Sequence, residues 1–213
     1  MAMVPMNLHA NQFEWRTRGR VVRSALALNQ SGVQFEIFEK SRCNEHYWTR
    51  TANGGFLLKA TVKPSVAIRD IYSSGPLYAF ECATAIIIIL YKAVLDTLDE
   101  SIFDKLFASL YIRDWQYDAD LRLKVTQGQT VNHGDVVYFS NPDVNPLTPQ
   151  WQGENAVLLS NHLYYGHGVG VLTGAEIIAI LNSSRKPGSV TSAYLTETIV
   201  QLDYMYLFTL TSQ

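Results

Sequence analysis

Apolar residues recur with two different periods in the first part of the chain. Val21, Val22, Ala25, Leu26 and Leu28 fall at helical spacing with Gly32 close behind, which predicts a helix over 20–29 stopped by glycine. Val33, Phe35 and Ile37 alternate with Gln34 and Glu36, the period of a strand. Two short runs, 47–51 and 56–61, flank Asn53-Gly54, a dipeptide that favours the tight turn of a hairpin. A short helix over 64–72 then ends at Ser73-Ser74-Gly75.

After the break at Gly75-Pro76 the run 79–98 is almost continuously apolar. It predicts one long helix, followed across Asp99-Glu100 by a second over 101–110. The block from Ala83 to Leu90 and its continuation are broken by Lys92 and Asp96, short of the roughly 20 apolar residues of a membrane span, so a buried helix is expected. From Leu121 onward the pattern becomes short strands, over 121–125, 135–139, 155–160 and 163–171, with a turn at Asn161-His162. The stretch 141–150 holds Pro142, Pro146 and Pro149 and reads as a rigid surface loop leading to Trp151. Thr173-Gly174-Ala175-Glu176 opens a helix over 177–181, ended by 182–188, and 204–211 is expected to form a final strand. The fold class is α+β, helices packed on an antiparallel sheet, in a single domain over 1–213 with 1–19 a short, flexible lead.

Composition narrows the chemistry. With 47% apolar and 17% charged residues among 213, one soluble globular core is expected, and the net charge of −2 gives no basic field for nucleic acid. The first residues lack a basic segment followed by an apolar core of secretory length, which predicts synthesis in the cytoplasm. Cys43 and Cys82 are the only cysteines, and Cys43 lies in a polar stretch that reads as an exposed turn, so no disulfide framework is expected. His9, His46, His133, His162 and His167 lack zinc-site spacing, and no calcium-loop pattern occurs. Chemistry without metal or cofactor is the expectation.

Cys82 stands where a turn becomes the long helix. Unpaired N–H groups at a helix start favour a thiolate, although the neighbours Ala83 to Leu90 are equally consistent with an inert core thiol. Trp151-Gln152-Gly153-Glu154-Asn155 begins a strand, and Gly166-His167-Gly168-Val169-Gly170 lies in its hairpin partner. A turn near 161–162 would set Glu154 and His167 roughly opposite one another, and the glycines flanking His167 argue for close backbone approach. Taken singly, Glu154 reads as a solvated carboxylate and His167 as a surface histidine. Together with a helix-borne thiol they have the layout of papain-like catalysis, in which a base deprotonates the sulfur and a third group orients the base.

The segments Tyr78-Ala79-Phe80-Glu81-Cys82-Ala83-Thr84-Ala85-Ile86, Trp151-Gln152-Gly153-Glu154-Asn155 and Gly166-His167-Gly168-Val169-Gly170 resemble the motifs of the spore transglutaminases of bacilli. Ala67-Ile68-Arg69-Asp70-Ile71 and Ser192-Ala193-Tyr194-Leu195 also match, so the resemblance runs from about Arg20 to near the C-terminus. It implies a small, calcium-independent protein-glutamine γ-glutamyltransferase with a papain-like (NlpC/P60-type) core, which cross-links spore coat proteins at the spore surface through ε-(γ-glutamyl)lysine bonds. Cys82 is then the nucleophile, Glu154 takes the basic role usually given to histidine, and Glu81 partly substitutes for it. His167 matches the family's active-site histidine and either orients Glu154 or assists proton transfer. Relatives carry a longer segment where this chain has its short lead before Arg20. Transfer to lysine rather than water requires a narrow apolar passage, for which Trp151, Trp115 and Tyr165 are candidate walls. Two other readings remain open on the residues alone: a cysteine amidase or peptidase with water as acceptor, and a non-catalytic coat protein.

Overall fold

The computed structural model describes residues 6–160 and 162–211. Helix α1 (Met6–Gln30) buries Val21, Ala25 and Leu28 on its C-terminal half. It begins at Met6 rather than Arg20, so the described part of the expected flexible lead is helical. The apolar pattern misses this half because polar contacts fasten it: buried Arg18 bonds Asp135 at 2.5 Å and Gln201 at 2.7 Å, and Trp15 stacks on His133.

Strand β1 (Gln34–Phe35) is short, and β2 (Trp48–Arg50) and β3 (Phe56–Leu58) form the expected hairpin, with Thr49 opposite Leu57. Gly54 in its turn has φ of 86°, and a Cβ there would stand 2.2 Å from the Phe38 carbonyl oxygen, so only glycine fits. Next come α2 (Pro64–Ser73), β4 (Ala79–Phe80) and α3 (Cys82–Leu95). The long apolar run is therefore divided. Its first residues extend as β4 beside β1, and the helix proper starts at Cys82. From Ala85 to Val94 only Lys92 escapes full burial, as expected of a helix that is apolar all round.

Helix α4 (Glu100–Leu106) and β5 (Tyr111–Ile112) lead to the main sheet, built from β6 (Leu123–Gln127), β7 (Val136–Ser140), β8 (Gly153–Ser160), β9 (Leu163–Gly166), β10 (Gly170–Thr173) and, after α5 (Gly174–Ser183), β11 (Tyr194–Leu202). Its order is β10-β9-β8-β7-β11-β6 and every pair is antiparallel. Alternation assigns the two faces. Val136, Val157, Leu159, Val200 and Leu202 join the core formed with α1 and α3, whereas Val137, Phe139, Ala156 and Tyr164 pack with Ile177 and Leu181 of α5. Thr173 caps α5 in a reciprocal capping box with Glu176.

Several expectations are corrected. The strand expected over 163–171 is a hairpin, β9 and β10, turning through Gly168 at φ 110° and Gly170 at φ 84°. The turn before it includes Asn161, which lies outside the described residues; His162 has φ of 65°. The segment expected as a final strand is helix α6 (Tyr204–Leu210): aromatic content suggests a strand, but the Asp203 carboxylate accepts the Tyr206 N–H, and Tyr204 and Leu207 are buried at helical spacing. Strand β11, which lies between β7 and the edge strand β6, has no counterpart in the expected elements. Cys43 is half-buried, with its thiol pushed up to about 11 chiefly by burial, so it is not in an exposed turn. Among the described residues no helix is long and apolar enough to cross a membrane.

Candidate active site

Cys82 is the first residue of α3, and it is held there by a strand on its N-terminal side. β4 pairs in parallel with β1, Gln34 to Ala79 and Phe35 to Phe80, while Ala79 and Arg42 exchange main-chain hydrogen bonds of 3.0 and 2.9 Å. Glu81 lies between strand and helix with φ −87° and ψ 164°. Being extended, it is free of the helical geometry that would turn its side chain away from that of its neighbour.

Glu154, 1% exposed, is the second residue of β8 and pairs across to Phe139 on β7. On the other side β9 ends at Gly166, opposite Ala156, so Glu154 and His167 are not the strand pair expected. Space for the carboxylate comes from that glycine: a Cβ on Gly166 would lie 2.8 Å from Glu154 Oε1 and 2.9 Å from its Cγ. The main-chain N–H of His167 favours the ionised form of Glu154. Its imidazole is directed elsewhere. Nε2 lies 3.2 Å from the Gln34 carbonyl, to which it can only donate, which leaves Nδ1 to accept from the Tyr165 hydroxyl at 3.0 Å. Burial lowers the ring to about 4, so it is neutral at ordinary pH. His167 thus ties β9 to β1, with its ring against Phe80 at 5.0 Å.

Asn155, which the reading of the sequence passed over as a site residue, places Nδ2 3.5 Å from Cys82 Sγ. Its signal was present in the alternation of β8, because Asn155 shares its side of the strand with Val157 and Leu159 in the core formed with α3. Cys82, Glu81 and Asn155 open on a cavity of about 630 Å³, walled by Trp115 and Tyr117 on one side and by Leu123, Val125, Val136, Tyr138, Thr198 and Val200 of the sheet. Of the aromatic candidates, Trp115 is on this wall. Trp151 instead stacks on Phe35 at 5.9 Å, and Tyr165 is buried in the core with its hydroxyl on His167.

Burial sets the charge states. It pushes the Cys82 thiol well above its usual range, and the carboxylates of Glu154 and Glu81 add to this, while Asn155 opposes it. The lowering expected at a helix start is outweighed because this helix start is itself desolvated. Glu154 is raised well above the ordinary carboxyl value by burial and then by the charge of Glu81. Glu81 is raised to about 7 by burial and then by Asp114. Glu81 Oε2 and Glu154 Oε1 have no hydrogen-bond partner in the protein. A thiol beside two carboxyls forms an acid–base set, and the free Oε2 of Glu81, on the cavity wall, can accept from a bound molecule.

The family profile described as "Protein-glutamine gamma-glutamyltransferase" matches residues 6–211. A protein of that name from Bacillus cereus (strain B4264) is 51% identical over 191 residues, covering 90% of this chain and 69% of the relative. One from Bacillus cereus (strain AH820) is 50% identical over the same length. Among solved structures, "Transglutaminase from Geobacillus stearothermophilus (without C-terminal extension)" superposes with a TM-score of 0.92 at 48% identity, covering 95% of this chain and 97% of the other.

Proposed function

Because the chain belongs to the protein-glutamine γ-glutamyltransferase family, we propose that its transglutaminase activity runs through a thioester on Cys82, with Glu154 as principal base and Glu81 in reserve. The observation that carries this is geometric: the thiol that opens α3 lies 3.5 Å from Asn155 Nδ2, and the preceding residue of β8 is Glu154, a buried carboxyl with a free oxygen. The Glu154 carboxylate takes the Cys82 proton, and Sγ attacks the γ-carbonyl of a protein glutamine. The C–N bond then breaks, nitrogen receives the proton from Glu154 and ammonia leaves. A lysine amine attacks the thioester, its proton passes to Glu154, the C–S bond breaks, and the thiolate recovers that proton. The products are an isopeptide and the starting enzyme.

The Cys82 main-chain N–H, in the first turn of α3, supplies one oxyanion donor, worth roughly 3 kcal/mol at the transition state. Asn155 Nδ2 supports the sulfur as it gains charge. The main-chain N–H of His167 holds Glu154, and its neutral imidazole braces β9 against β1, a positioning role. No metal enters any step, so calcium independence is part of the proposal. Apolar walls from Trp115 and the valines of the sheet keep water from the thioester. On the resemblance of its motifs, the glutamine and lysine substrates are spore coat proteins and the site of action is the spore surface.

Incubation with a glutamine-bearing protein and a fluorescent primary amine tests the reaction. Incorporation that disappears in Cys82→Ala is expected, with chelators of no effect. Ammonia release without incorporation would mean that water is the acceptor.

A further inference from the structure

Above the thiol, the cavity wall carries an acidic residue in an uncommon backbone state. Asp114 follows β5 with φ of 51°, a left-handed conformation that few residues other than glycine adopt. Its N–H donates to Thr84 Oγ1 at 2.9 Å, and Thr84 is buried in the first turn of α3, two residues past Cys82. One helical turn thus holds both the nucleophile and the loop that bears Asp114. Asp114 lines the same cavity as Cys82, Glu81 and Trp115. Its neighbour Arg113 is turned to another purpose, with its guanidinium 4.2 Å over the Phe38 ring and Nε donating to the Asn53 carbonyl at 2.9 Å. Among the described residues no ion pair engages Asp114. Two carboxylates, Asp114 and Glu81, therefore face one cavity with neither in a contact ion pair among the described residues, Arg113 acting on Glu81 only through its field, and Glu81 Oε2 has no hydrogen-bond partner.

We propose that Asp114 is the acceptor-recognition residue, binding the ammonium of the incoming lysine between itself and Glu81, over the Cys82 thioester. An ammonium offers three donors to the two carboxylates, and Trp115 beside Asp114 gives its alkyl stem an apolar wall. The bound cation cannot attack while it is protonated. It transfers one proton to the Glu81 carboxylate, making neutral amine and carboxylic acid; the amine then attacks as described, and Glu81 releases that proton to solvent at the cavity before the next turnover. Asp114 confers a preference for cationic amines over uncharged nucleophiles of similar reactivity.

This inference rests on the acyl-transfer reading, and two acceptors separate the two claims. Nα-acetyl-lysine methylamide carries the ammonium; hydroxylamine is uncharged at mildly alkaline pH. With a fixed glutamine donor, Asp114→Asn should raise KM for the lysine compound about tenfold relative to KM for hydroxylamine, as for loss of one charge contact in a desolvated cleft. Asparagine tolerates a left-handed φ, and Asp114→Gly, which removes the strain altogether, should give the same ratio by a second route. Equal changes for both acceptors, or no change in either variant, would overturn the role of Asp114 while leaving the acyl transfer intact. A wild-type protein that incorporates neither acceptor would contradict the proposed function and this inference with it.

Discussion

Glu154 and Glu81 differ at the level of single residues in how they are held. Glu154 is almost fully buried, with Gly166 and His167 closed around it, whereas Glu81 sits half-buried at the strand-to-helix junction. Replacing Glu154 by Gln should lower kcat at least about 100-fold, the usual scale of a lost general base, and Glu81→Gln by clearly less. The reverse order in steady-state assays would assign the principal base to Glu81. Glu81 also carries a pH signature. Its value rises from 4.5 to about 7 in the fold, so the folded protein holds that proton more tightly, and the resulting stability is complete below 4.5 and lost as pH rises through 7. Thermal unfolding should therefore show wild type losing stability relative to Glu81→Gln between these values; a constant difference would contradict the assignment. Cys82, Glu81 and Glu154 were legible as candidates because their residue types travel with local motifs. The direction of the His167 ring was not, since it depends on Gln34, on a strand that meets it only in the folded chain.

Elements were read best where one physical signal dominated, as in the Asn53-Gly54 hairpin and the capped helix α5. They were misread where tertiary contacts set the outcome. Helix α6 is rich in aromatic residues and wins through its Asp203 cap and the packing of Tyr204 and Leu207, while the polar half of α1 is secured by Arg18 rather than an apolar stripe. The short strand β9 has a consequence for catalysis. Ala at Gly166 would drive a methyl group into Glu154 Oε1 and Val169 Cγ2, at 2.8 and 2.7 Å, so Gly166→Ala should displace the base. Expected is a stability cost of about 1–3 kcal/mol, with kcat falling by much more than denaturant melts would explain. Full activity in Gly166→Ala would show that the carboxylate does not need this space.

At the scale of the whole molecule, α1 and α3 share one face of the sheet and α5 covers the other, so the proposed active site lies where the first turn of α3 meets β8. The α+β class and the pairing of helix-borne thiol with sheet-borne carboxyl were visible in the sequence. The six-stranded order was not, because β11 inserts between β7 and β6 from far along the chain. Arg18 ties α1 to that sheet through Asp135, itself 2% exposed. Arg18→Met should destabilise the fold by about 3–5 kcal/mol by leaving a buried carboxylate unpaired, and adding Asp135→Asn should restore part of the loss. Failure of the second change to restore stability, measured by urea unfolding, would place the effect in packing rather than charge.

The central claim, covalent acyl transfer through Cys82, is tested most directly by intact-mass spectrometry of the protein mixed with a glutamine peptide in the absence of amine. The account predicts an adduct equal to the peptide less ammonia, located on Cys82, labile to added lysine compound and absent from Cys82→Ala. An adduct that persists in Cys82→Ala, or turnover of the peptide to isopeptide without any acyl-enzyme under rapid quenching, would contradict it.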